Sequence, residues 1–73
     1  MEEFISKFNE QLIEPQELNP ETSFRDLDDW DSLTAMAVRT MVEDDYNIKI
    51  SDKEFQSLIT IRDLFEFIQT KNN

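Results

Sequence analysis

Between Ser32 and Tyr46 apolar residues recur at a helical period on two sides of the chain at once, and this constrains the fold more than any other stretch. At about 100° per residue, Ala35, Val38, Val42 and Tyr46 share one face. Leu33, Met36, Ala37 and Thr40 fall on roughly the opposite face, next to Glu43 and Asp44. The first face suits a core. The second is an apolar patch bordered by acids, open either to a partner or to burial as a second side of the core. Asp31 is a good N-cap for this helix, because its carboxylate accepts a free backbone N–H of the first turn, which makes Ser32 the first helical residue. A hydroxyl there is exposed at the positive end of the helix dipole, a favourable place for a phosphate.

The flanking segments read as helices too. Met1, Phe4, Ile5, Phe8 and Leu12 share a face, so an amphipathic helix is expected over residues 1 to 13, with Pro15 as its stop. Ser51-Asp52-Lys53-Glu54 matches a capping box and predicts a short helix over 52 to 57, anchored by Phe55 and Leu58. Ile48 and Ile50 just before it fit a short extended link. Thr60 followed by Asp63 marks another N-cap, and Ile61, Leu64, Phe65 and Ile68 form the core stripe of a last helix to about Lys71, with Asn72 and Asn73 left to fray. Residues 15 to 31 carry two prolines and no sustained period, so a long ordered loop is expected, with Leu18, Phe24 and Leu27 as anchors and Trp30 as a hydrophobic plug. The sum is an all-α chain, one domain over residues 1–73, with three main helices, a short third helix and a long first loop.

The acids at Asp26, Asp28, Asp29 and Asp31 invite a calcium reading, which fails against the EF-hand pattern. Counted from Asp26, the sixth position is Asp31 instead of glycine and the twelfth is Ala37 instead of the bidentate glutamate. No cysteine is present, so disulfides and thiolate metal sites are excluded, and a thiol required for function has to arrive on a cofactor. Without histidine the usual general base near neutral pH is missing, and without glycine there is no glycine-rich phosphate loop, so no independent enzyme is expected. Seven basic against seventeen acidic side chains give a net charge of −10, which favours basic partners and opposes nucleic acid and anionic membranes. No apolar run approaches the ~20 residues of a membrane span, and Glu2 and Glu3 stand where a secretory signal carries positive charge, so a cytoplasmic monomer without stable membrane insertion is expected.

Asp31-Ser32-Leu33 resembles the D-S-L motif of acyl carrier proteins, in which the serine holds a 4′-phosphopantetheine arm through a phosphodiester. The order of the surrounding elements agrees: an amphipathic first helix, a long loop approaching through Phe24 to Leu27, D-S-L opening the second helix, Ile48 and Ile50, then Thr60-Ile61 opening the last. The resemblance implies a four-helix acyl-carrier-like bundle modified at Ser32, with the arm drawn from coenzyme A by a phosphopantetheinyl transferase. It also implies acyl-loading and acyl-processing enzymes with basic docking patches, which would meet Leu33, Met36, Ala37, Thr40, Glu43 and Asp44. Two positions depart from many family members: Asp28-Asp29-Trp30 replaces a glycine before the motif, and Ser51 replaces a proline after the isoleucine at position 50. The W-D-S-L form is similar to a branch of discrete carriers outside the housekeeping fatty-acid type. A peptidyl or aminoacyl carrier on the same arm is the alternative within the family, and an unmodified acidic interaction module the alternative outside it.

Overall fold

The computed structural model describes residues 1–72 and holds four helices: α1 (Glu2–Glu10), α2 (Ser32–Tyr46), α3 (Asp52–Gln56) and α4 (Ile61–Asn72), with no strand among the described residues. The last three start or stop for a local reason. Asp31 caps α2 by accepting the Thr34 N–H at 2.8 Å, and Asn47 closes it in the left-handed region at φ 54°, a position that Asn tolerates in a chain lacking glycine. Ser51 and Glu54 form the reciprocal capping box of α3. Thr60 and Asp63 do the same for α4, with the Asp63 N–H donating to Thr60 Oγ1 and the Thr60 N–H to Asp63 Oδ2. Asn72 is the last residue of α4 and Asn73 lies outside the described residues, so of the expected frayed tail only Asn72 is placed, and it is helical.

The first helix is shorter than its apolar period predicts. It ends at Glu10, five residues before Pro15, and Ile13 is left 71 % exposed. The Asn9 carboxamide explains the early stop, since it accepts the Gln16 N–H at 2.9 Å and donates to the Gln16 carbonyl at 2.8 Å, drawing the loop back against the helix.

The long loop contains structure of its own. Phe24–Asp26 forms a 3₁₀ turn, and Ser23 pairs with Thr60 in an isolated antiparallel bridge. Its carbonyls serve α4: the Ile61 N–H donates to Thr22 and the Arg62 N–H to Pro20, so two donors that a helix start leaves unpaired are satisfied by the loop. Phe24 is fully buried and meets Phe8, Trp30 and Phe55 at ring-centroid distances of 5.9, 5.3 and 5.7 Å. Trp30 stacks on Phe8, so it is the plug its sequence position suggested.

On α2 the core side is set by Val38 and Val42, both fully buried, with Ala35 and Tyr46 half-buried at its margins. Thr34 and Met41 are buried as well, although neither belonged to the expected stripe. Both stand within one helical step of Val38, and the buried face is wider than four residues implied.

Candidate functional site

Ser32 opens α2 as expected, with its side chain exposed. Asp31 accepts the Thr34 N–H, which, with the Thr34 hydroxyl beside it, holds the Asp31 carboxyl below the usual carboxylate range. The Ala35 N–H bonds to the Asp31 carbonyl, the Leu33 N–H also lies against the Asp31 carboxylate, and the Ser32 N–H has no acceptor among the described residues. The start of α2 therefore offers an exposed hydroxyl beside the unpaired Ser32 N–H at the positive end of a helix of 15 residues.

Leu33 and Met36 are 77 % and 64 % exposed, so the second apolar face of α2 does not enter the core. With Ala37, Thr40 and Asp44 they line an open depression of about 550 Å³, which Gln11, Met41 and Asp45 complete. Five of the six partner-facing residues expected from sequence are thus brought together. Glu43 is not among them. It turns to the other side of α2, half-buried, and accepts the Ile50 N–H at 3.0 Å, so part of its role is to hold the link before α3. Asp45, next along from Asp44, pairs with Lys7 of α1 at 3.2 Å.

Met36 and Thr40 form a ridge, because they also line a second depression of about 550 Å³ between α2 and α3, into which Ser32 opens. Its walls include Arg25, Arg39, Glu43 and Asp52, with Phe55 among its apolar lining. Sequence reading missed both arginines. Arg39 was within reach, being seven positions after Ser32 and hence on the same helix face two turns on. Arg25 carried no such signal, since it comes from the 3₁₀ turn and reaches the α3–α4 junction only through the fold.

The family model described as the phosphopantetheine attachment site matches residues 3–68 of this chain. Similarity to characterised proteins runs the same way. The acyl carrier protein of Myxococcus xanthus is 38% identical over 56 residues, covering 77% of this chain and 71% of that protein. The chain belongs to the acyl carrier protein family. The meromycolate extension acyl carrier proteins of Mycobacterium tuberculosis (strain ATCC 25618 / H37Rv) and Mycolicibacterium aurum are each 42% identical over 57 residues, or 78% of this carrier domain. The match takes in 50% and 59% of those two relatives, so the chain spans between half and three-fifths of their length.

The group that defines the family is a covalently bound 4′-phosphopantetheine, and the residues at the start of α2 fit it. A phosphodiester needs an accessible hydroxyl and a surrounding that tolerates negative charge. Ser32 supplies the first; the positive end of the α2 dipole, with Arg25 and Arg39 in the adjoining depression, supplies the second within an otherwise acidic molecule. No helix among the described residues is long and apolar enough to cross a membrane.

Proposed function

We propose that this carrier domain holds acyl intermediates on a 4′-phosphopantetheine arm attached to Ser32 and catalyses nothing itself. The observation that carries the reading is the exposed Ser32 hydroxyl at the capped start of α2, next to an apolar face that stays out of the core. When bound, the arm supplies a thiol that this cysteine-free chain lacks, and the thiol carries the acyl group as a thioester. The chain's own residues do the rest. Asp31 fixes the first turn of α2, so that the Ser32 hydroxyl is presented at the surface. In the transfer, Ser32 Oγ forms a bond to phosphorus, the pyrophosphate bond of coenzyme A breaks, adenosine 3′,5′-bisphosphate leaves, and the serine proton passes to the transferase. Leu33 and Met36 give the transferase and the acyl-processing enzymes an apolar contact beside the attachment point, and methionine adapts to several partner surfaces in turn. Asp44 and the acidic surface around it draw in the basic docking patches of those enzymes. The names of the relatives, acyl carriers all, support acyl over aminoacyl cargo. The expected compartment is the cytoplasm, and the expected working form a monomer.

Incubation with coenzyme A, Mg²⁺ and a phosphopantetheinyl transferase, followed by intact-mass measurement, is expected to add one arm. Ser32→Ala is expected to take none. A mass gain on the Ser32→Ala protein disproves the site, and an unchanged mass on the parent protein points instead to an unmodified interaction module.

A further inference from the structure

The chain enters α2 through a turn that its composition makes costly. Residues 27–30 form a four-residue turn closed by the Trp30 N–H on the Leu27 carbonyl at 3.2 Å, and its third residue, Asp29, lies in the left-handed region at φ 63°. That conformation at the third position favours glycine or asparagine, because a Cβ there crowds the following carbonyl. This chain has no glycine, so the strain falls on an aspartate just ahead of Ser32.

Two side chains hold the turn against α1. Trp30 stacks on Phe8, with ring centroids 6.1 Å apart and planes within 8° of parallel, and also meets Phe24. Gln16 donates its carboxamide N–H to the Asp28 carbonyl at 3.0 Å, and so grips the peptide that leads into Asp29. Gln16 is itself fixed, because its backbone N–H and carbonyl are both bonded to the Asn9 carboxamide, at 2.9 and 2.8 Å. A line of contact thus runs from α1 through Asn9 and Gln16 to the Asp28–Asp29 peptide. Only Trp30 and Asp31 separate that peptide from Ser32, and Asp31 is committed to the Thr34 N–H. With so little chain between them, a rotation of the peptide is passed to the first turn of α2.

We propose that Gln16 is a positioning residue for transfer of the arm: by holding the Asp28–Asp29 peptide it keeps Asp29 left-handed, and so keeps the Ser32 hydroxyl presented to the transferase. The inference rests on attachment at Ser32. Met36, Ala37 and Asp44 stand past the first turn of α2, so losing the Gln16 bond acts on the transfer step and leaves docking in place. The Asn9 bonds go to the Gln16 backbone and survive a change of its side chain.

The experiment compares the parent, Gln16→Ala, Asp29→Gly and the double variant, each incubated with coenzyme A, Mg²⁺ and one phosphopantetheinyl transferase and followed by intact mass. The loss of a single neutral hydrogen bond sets the scale, so in Gln16→Ala kcat is expected to fall about three- to tenfold while KM for the carrier stays within about twofold of the parent. The strong intraresidue HN–Hα cross-peak that marks positive φ at Asp29 in NMR is expected to weaken in the same variant. Glycine takes the left-handed conformation without a Cβ and does not need the clamp, so adding Gln16→Ala to Asp29→Gly is expected to change kcat by less than about twofold. Failure of the parent to take an arm at Ser32 overturns both the attachment reading and this one. Loading of Gln16→Ala at the parent's kcat overturns the positioning role alone. An equal fall with and without Asp29→Gly overturns it too, since the effect would then not run through the turn.

Discussion

Asp31 does two things with one carboxylate. It caps α2, and so makes Ser32 the first residue of the helix, and the Thr34 N–H that it accepts keeps its pKa below the ordinary range. A carboxyl whose pKa is lower folded than unfolded contributes stability that is complete above the unfolded value, about 4, and is lost as pH falls through the folded one. Asp31→Asn is therefore expected to unfold at a lower temperature than the parent at neutral pH, with the gap closing as the pH drops below about 4. A gap that stays constant down to strongly acid conditions contradicts the assignment. Glu43 and Asp44 separate in a different way. Glu43→Lys removes the acceptor of the half-buried Ile50 N–H and is expected to cost about 1 kcal/mol, whereas Asp44→Lys leaves every bond found here in place. Denaturant unfolding of the two variants checks this, and equal midpoints would show that the Glu43 bond contributes nothing. Only Asp44 is then a clean probe of steering: its reversal is expected to slow the transferase most at low salt.

At the scale of the element, α2 works as a partition between the interior and an exposed apolar face. Val38 and Val42 are wholly buried, so truncating either to Ala is expected to destabilise the domain by about 1–3 kcal/mol through lost burial and a cavity. Leu33→Ala and Met36→Ala, at exposed positions, are expected to stay within about 0.5 kcal/mol of the parent while slowing transfer of the arm. Paired unfolding midpoints and transferase rates decide the matter. If the exposed pair unfolds the protein as severely as the valines do, the partition is wrong. α3 is the contrasting case, since five residues make too short a helix to stand alone. It persists because Phe55 is buried and because arginines hold it from outside, Arg39 at Ile50 and Asp52 and Arg25 at Phe55 and Leu58. The Lys71–Glu54 pair ties it to α4 and helps hold the Glu54 carboxyl low, after the stronger effect of the Ser51 N–H that Glu54 accepts.

The whole molecule joins a tight interior to a strongly one-signed exterior. Its Cα radius of gyration is 11.1 Å, about what a compact chain of this length has. A charge of −10 confined to that volume repels itself. Raising the salt concentration from low to physiological shortens the Debye length to about 8 Å, so the thermal midpoint at neutral pH is expected to rise; a flat or falling midpoint would refute self-repulsion as a limit on stability. The features legible in the sequence are those whose causes lie within a few residues. The cap at Asp31, the box at Ser51 and Glu54, the start of α4 at Thr60 and the place of Ser32 all follow from side chains reaching backbone three positions away, and the core stripes follow from the helical period. Tertiary structure alone decided that α1 stops at Glu10, that Glu43 serves Ile50, that Asp45 pairs with Lys7 and that Arg25 joins the groove beside Ser32. Those contacts bridge between seven and 38 positions of chain, and no local propensity encodes which distant carbonyl, amide or charge a side chain will meet, because that depends on how the helices pack around Phe24 and the buried valines.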